Sequence, residues 1–342
     1  MKIIVDAFGG DNAPNEIILG CVQSKAELGT EIILSGNKER ILAAAKEINC
    51  FDEVSAWQIL DCDDEITMDD EATSVVKEKK NSSMAVGLQA LADGVGDAFA
   101  SAGNSGALVV GATMIVKRIR KVKRVSFAPI IPKYNGFLMF SDAGANIECR
   151  PEMLLQFGIM GSVYMEKVMG IKNPRVGLAN VGTEEHKGDE LRHEAYKLLK
   201  KCTDINFVGN VEAREIPYDA ADVVVSDGFT GNIIIKLFEG VAMVVMDKFK
   251  EVLTKNFKNK LAAAVVYSDM KELKKTMDYN AYGGAPIMGA AKPVFKIHGS
   301  AKANTVQSAL KLTRDYAESG IIEEIAKAVS GKDRQISSAE QF

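Results

Sequence analysis

The chain has 342 residues, with 42 Lys and Arg against 46 Asp and Glu, giving a formal net charge of -4 at pH 7. A balance this close to neutral argues against nucleic acid as the main partner. With 47% hydrophobic and 26% charged residues the composition is ordinary globular, and the chain is long enough to bury a core without disulfide staples.

The five cysteines (Cys21, Cys50, Cys62, Cys149, Cys202) are widely spaced, without a CxxC pair, and read as reduced cytosolic thiols. Three histidines give no basis for a His-rich metal site, and no metal or cofactor is expected. The amino-terminal apolar run, Ile3 to Val5, stops at Asp6 and does not read as a signal peptide. The longest mainly apolar stretch, about Gly106 to Val116, is too short to span a bilayer. The expectation is a soluble cytoplasmic protein that touches a membrane surface at most.

Lys2 to Ala7 reads as a buried strand, followed by the loop FGGDNAP and a helix from Asn15. A strand over Glu31 to Ser35 precedes a helix over Asn37 to Ile48, and Asp61 to Glu71 reads as an exposed acidic loop. Asp97 to Ala102 is strand-like, with a helix from about Ser105. KRIRKVKR, Lys117 to Arg124, carries six basic residues in eight. Tyr134-Asn135-Gly136 between the apolar runs Val125 to Pro132 and Phe137 to Ser141 predicts a β-hairpin. Strand-helix pairs recur at Arg175 to Val181 with a helix from about Asp189, and at Ala221 to Ser226 with a helix from about Thr230. The alternation predicts an α/β fold with a largely parallel sheet. A basic amphipathic helical segment is expected at about 248–277. From Lys248 to Lys275 there are eight lysines against three acids, and Phe249, Leu253, Phe257, Leu261 and Val265 repeat at i, i+4.

Five glycine-rich polar loops follow predicted strands: DAFGGDNAP, SAGNSGA, SDAGAN, NVGTEEHKG and SDGFTGN. In open α/β sheets, ligands bind beyond the carboxyl ends of the strands, so these loops are expected to converge on one crevice. Free backbone N–H groups before each helix favour anions there. The residues expected to bind substrate are Asp6, Gly9, Gly10, Asp11, Asn104, Ser105, Gly106, Asp142, Asn146, Asn180, Gly188, Asp227, Gly228, Thr230 and Gly231 from these loops, and His298 from KIHGSA. Lys187 is the best cationic candidate, and Asn232 can donate its amide to a phosphate or a developing oxyanion. No Walker motif, clean GxGxxG or GxSxG nucleophile elbow is present, so no covalent nucleophile is visible.

The same loops carry a resemblance. VDAFGGDNAP, SAGNSGA, DAGANIECRP, VGLANVGTEEHKGDE, FVGNVEAREI, VVVSDGFTGNIIIK, YGGAPIMG and KIHGSA occur in order over essentially the whole chain, which resembles the acyl-ACP:phosphate acyltransferases of bacterial phospholipid synthesis, the PlsX family. Asn12 and Phe8 depart from the usual histidine and methionine.

The resemblance implies transfer of a fatty acyl group from acyl carrier protein to inorganic phosphate, with Lys187 and Asn232 as the catalytic pair. It further implies a single domain over residues 1–342, a three-layer α/β/α sandwich with a mostly parallel sheet related to phosphotransacetylases and isopropylmalate dehydrogenases, a homodimer, and peripheral contact with the membrane and with a downstream membrane acyltransferase. A phosphotransacetylase-like enzyme acting on acyl-CoA is the alternative. An isopropylmalate-type dehydrogenase would need metal-binding aspartates and substrate arginines in motifs that are not found. A membrane-surface scaffold would keep the basic helix without needing the five loops.

Overall fold

Short apolar runs ended by Gly, Asn, Ser or Asp fold as strands, and the stretches between them as helices. The computed structural model describes residues 1–276 and 283–330. The first part comprises β1 (Lys2–Asp6), α1 (Asn15–Leu28), β2 (Glu31–Gly36), α2 (Lys38–Glu47), α3 (Phe51–Val54), β3 (Gln58–Asp61), α4 (Ser83–Ala92), β4 (Ala98–Ser101) and α5 (Ser105–Gly111). Next come β5 (Ser126–Phe127), β6 (Ile130–Lys133), β7 (Gly136–Ser141), α6 (Pro151–Lys167), β8 (Arg175–Asn180), α7 (Glu190–Lys201), β9 (Asn206–Glu212) and β10 (Val223–Val225). The last part comprises α8 (Gly228–Thr254), α9 (Phe257–Val265), α10 (Tyr267–Thr276), β11 (Gly284–Met288), β12 (Val294–Ile297), α11 (Ala303–Glu318) and α12 (Ile321–Ser330).

Where the alternation predicts one sheet, the strands form two. One runs β3-β2-β1-β4-β12-β11-β5, with β11 antiparallel to both its neighbours. The other runs β6-β7-β10-β8-β9, parallel except for β6. The expected hairpin is β6–β7, closing with Lys133 opposite Gly136, which takes φ +91. Gly at that position avoids the Cβ cost of a left-handed backbone.

Side-chain alternation along β1 builds the layers. Ile3 and Val5 join one core with Ile17, Ile18, Val306 and Leu310 of α1 and α11, while Ile4 joins another with Met84, Leu88 and Leu91 of α4. In the second sheet, Val223 and Val225 face α6 and α7, whereas Val224 shares its core with Phe140, Leu138 and Ile235 of α8. Helices on both faces explain why the central strands are apolar throughout rather than alternating.

A buried ion network ties the second sheet together. Lys133 Nζ donates to Asp222 (2.6 Å) and Asp219 (2.7 Å), and Arg175 donates to Asp222 through its backbone N–H (2.8 Å) and Nε (3.0 Å). Burial alone raises the Asp222 carboxyl, but the bonds from Arg175 and Lys133 outweigh it and hold it well below the usual carboxylate range.

Two expectations need correction. The acidic stretch is exposed at Asp61, Asp63, Asp69 and Glu71, but Cys62 and Ile66 are buried, and Asp70 pairs with Lys79 at 2.8 Å. The basic segment is not one helix. Asn256 leaves helical geometry (φ -152, ψ 174) and caps α9 through Asn259 N–H, so the chain turns between α8 and α9 although the i, i+4 stripe runs across the break. Residue 277, at the expected end of that segment, lies outside the described residues.

Removing one partner of a buried ion pair costs about 3–5 kcal/mol where the other charge is left alone, and here Asp219 still pairs with Lys133 and Arg175, which puts the cost at the lower end. Asp222→Asn is therefore expected to destabilise the protein by about 3 kcal/mol in urea unfolding at pH 7. A carboxyl depressed in the folded state stabilises above its unfolded value of about 4, and that contribution fades as pH falls through the lower folded value. The gap between parent and variant should narrow below about pH 4.

Candidate active site

Strand order groups the loops. β1, β4 and β12 are adjacent and parallel, so the loops after Asp6, Ser101 and Ile297 meet at one end of the first sheet. Asp11 N–H donates to Gly299 O (2.8 Å), and Asn12 Nδ2 to Ser300 O (3.1 Å). In the second sheet β7, β10 and β8 are adjacent, which groups the loops after Ser141, Val225 and Asn180.

Two carboxylates anchor these groups. Asp6, 2% exposed, accepts Ser101 Oγ (2.6 Å) and Phe8 N–H (3.2 Å). Asp142, fully buried, accepts N–H groups of Phe127 (2.9 Å), Ala145 (3.2 Å) and Asn146 (2.6 Å), and Asn146 Nδ2 (2.8 Å). Burial pushes both carboxyls up, and the donors oppose it. Gly9 lies where a Cβ would sit 2.5 Å from Gly103 N, and a Cβ on Gly231 would collide with Asp142 O. Both glycines permit backbone to approach backbone.

Two hollows flank the first turn of α8. The polar lining of an inner cavity of about 500 Å³ comprises Asp11, Ser105, Asn232, Lys236, Glu239, Lys296 and His298, with Gly144 beside them in the wall. Val109, Phe127, Pro129, Ile130, Ile131 and Ile235 make an apolar wall in the same cavity. An outer cleft of about 960 Å³ is lined by Asn180, Gly188, Asp189, Arg192, Arg214 and Thr230.

The expected site residues divide accordingly. Asp11, Ser105, Asn232 and His298 line the inner cavity, and Asn180, Gly188 and Thr230 the outer cleft. Asp6, Asp142 and Asn146 are spent holding loops, the last through Nδ2 to Val125 O (2.7 Å) as well. Asn104 caps α5 through Ala107 N–H (3.1 Å) and Asp227 caps α8 through Thr230 N–H (2.9 Å). Gly228 N–H donates to Asn146 O (2.7 Å), and Gly9, Gly10 (φ +98), Gly106 and Gly231 serve backbone geometry. Lys187 is exposed, its carbonyl accepting Asn180 Nδ2 (3.0 Å), and it does not line the inner cavity. The five loops therefore do not meet in one crevice. The Asn180–Gly188 loop contributes Asn180, Val181 and Gly188 to the outer cleft, Asn232 lines the inner cavity, and Lys187 lines neither of these two hollows.

Two residues of the site escaped the sequence reading. Arg192 of α7 reaches Thr230 Oγ1 (2.9 Å) and pairs with Asp227, in a helix whose exposed charges hid it. Lys296, 7% exposed, stands in the otherwise apolar strand VFKI, and that lone charge was the available signal. Burial lowers its ammonium to about 8, with Asp6 and Asp11 opposing. His298 Nδ1 lies 3.0 Å from Ser300 Oγ, and burial lowers its imidazole.

A family model described as "Fatty acid synthesis protein" matches residues 1–324. A "Phosphate acyltransferase" of Thermoanaerobacterium thermosaccharolyticum is 42% identical over 99% of this chain and 100% of that protein. One of Listeria innocua is 44% identical, covering 96% of each chain. Among solved structures, a phosphotransacetylase from Streptococcus pyogenes is similar in fold, with a TM-score of 0.64 at 17% identity over 93% of this chain and 94% of that one.

Proposed function

The chain belongs to the phosphate acyltransferase family of fatty acid synthesis proteins, and from that premise we propose that it moves a fatty acyl group from acyl carrier protein to inorganic phosphate. The observation that supports this most is the inner cavity, whose lining combines apolar residues suited to an acyl chain with Asn232, Lys236 and Lys296, which suit an anion.

A phosphate oxygen attacks the thioester carbonyl carbon, and a C–O bond forms as the carbonyl becomes an oxyanion. The C–S bond then breaks, and the carrier leaves as thiolate and takes up a proton. Phosphate is already a nucleophile and thiolate a fair leaving group, so the protein's work is to position the reactants and steady the oxyanion. Asn232, which lines the inner cavity, is assigned to the oxyanion. Lys187, exposed in the Asn180–Gly188 loop, is assigned to pairing with the incoming phosphate. The acyl-CoA alternative shares this chemistry and differs in the donor.

The assay is acyl phosphate formation from phosphate and either acyl carrier protein or acyl-CoA as donor. Product from the carrier donor supports the reading; product from CoA alone overturns it in favour of the alternative. Lys187→Ala and Asn232→Ala should each lower turnover at least about tenfold with the fold intact, since a lost oxyanion donor typically costs about 10²–10³ in rate.

Carrier proteins of this kind are acidic, and we assign their docking to the 117–124 loop. Ile119 and Val122 are buried and pin the loop, while Lys117, Arg118, Arg120, Lys121, Lys123 and Arg124 are exposed. Arg120→Glu with Lys123→Glu should raise KM for the carrier donor several-fold and leave KM for phosphate unchanged. Equal changes in both would count against docking there.

The exposed apolar residues of α8 and α9 support contacts beyond the chain. We assign the middle of α8, with Leu237, Val241 and Val244 exposed, to a second copy, and Phe257, Leu261 and Val265 of α9, flanked by Lys255, Lys258 and Lys260, to an anionic membrane surface. That surface would also bring the product to a membrane acyltransferase. Val241→Glu should convert dimer to monomer in sedimentation velocity. Leu261→Glu should stay dimeric and stop pelleting with anionic liposomes; unchanged pelleting would remove α9 from the membrane contact.

A further inference from the structure

Lys296 occupies a position that is costly for a lysine. Its neighbours Phe295 and Ile297 are fully buried, and it pairs across the sheet with Ser101, the residue that holds Asp6. Its ammonium donates to Ala102 O (2.9 Å) and Ile297 O (2.6 Å). Among the described residues no carboxylate pairs with it at ion-pair distance. An ammonium carries three donors, so two neutral carbonyls leave one donor free, and Asp6 and Asp11 offset the charge only from beyond ion-pair distance. Burying such a charge without a counter-ion is strongly unfavourable. A lysine of this kind is economical only when an anion completes it.

The cavity it lines also holds Ser105, Asn232 and His298, which are polar and offer hydrogen-bond donors. We propose that Lys296 is the cation that receives inorganic phosphate in the inner cavity, a phosphate oxygen taking the remaining donor of its ammonium. This inference rests on the reading of phosphate as acceptor substrate, and it names the residue that holds it.

The charged and titratable groups facing Lys296 are Asp6 on β1, Asp11 on the following loop, Lys236 and Glu239 on α8, and His298 beyond β12. Burial and Lys236 lower the ammonium, and Asp6 and Asp11 raise it, leaving it near 8. It is mainly charged at pH 7 and loses its proton as pH rises through that value. Phosphate affinity should therefore weaken on the alkaline side.

The test is KM for phosphate and for the acyl donor between pH 7 and 9.5 in the parent, Lys296→Met and Lys296→Arg. Lys296→Met should raise KM for phosphate about tenfold or more at pH 7, with a far smaller change in KM for the donor. Lys296→Arg keeps the charge and should recover part of the loss. The parent's KM for phosphate should climb above pH 8, and Lys296→Met, whose curve carries only the ionisation of phosphate and the other groups, should lack that climb.

Equal effects on both substrates, or an unchanged pH profile, would show a lysine that merely holds Ala102 and would overturn the inference. Should Lys296→Met not fold, the parent profile and Lys296→Arg decide. Calorimetric titration of inorganic phosphate alone into the parent and Lys296→Met separates the two readings. Parent binding that Lys296→Met abolishes supports the inference even if no acyl phosphate forms. Equal binding by both overturns it even if turnover is robust.

Discussion

The site depends on carboxylates removed from water at the carboxyl ends of strands. Asp6 ends β1 and Asp142 directly follows β7; both are almost wholly buried and accept hydrogen bonds from a neighbouring strand or loop. A buried carboxylate left without donors would be strongly destabilising, so each fixes the backbone that supplies them. Asp6 fastens the Ser101 end of β4 to β1, and Asp142 fastens the Ser141–Asn146 loop to Phe127. Phe127 and Gly144 are walls of the inner cavity, so the cavity's shape follows from this bonding.

Strand order does the rest. Because β12 returns beside β4, residues from opposite ends of the chain meet: Asp11 lies against Gly299, and Lys296 beside Ser101. α8 begins between the two loop groups, its first turn capped by Asp227 and pressed onto Asp142 O at Gly231. Asn232 thus faces the inner cavity while Thr230 faces the outer cleft. One helical turn therefore separates a small hollow with an apolar wall from a larger one lined by arginines.

Much of the fold was legible because buried parallel strands are short apolar runs, and Asn135-Gly136 states its own turn. Two sheets instead of one was not legible, since alternation of strand and helix carries no information about strand order. In the Lys248–Lys275 segment the i, i+4 stripe crosses the break without interruption, and the cue lay in Asn256, whose side chain caps the next helix. For the loops, residue type located the chemistry but not its direction. Asp6, Asn104, Asp142, Asn146 and Asp227 stand at loop or helix boundaries and spend their side chains on backbone donors or neighbouring side chains. In KIHGSA the histidine is the conspicuous side chain, but Lys296, a charge inside the apolar strand VFKI, is the stronger physical signal.

The central claim is that acyl chain and phosphate meet in the inner cavity. A crystal structure with a stable acyl phosphonate bound would test it most directly. The account predicts the phosphonate beside Lys296 and Asn232, with the chain along Val109, Ile131 and Ile235. A headgroup bound in the outer cleft between Asn180 and Arg192, with the inner cavity empty, would contradict it.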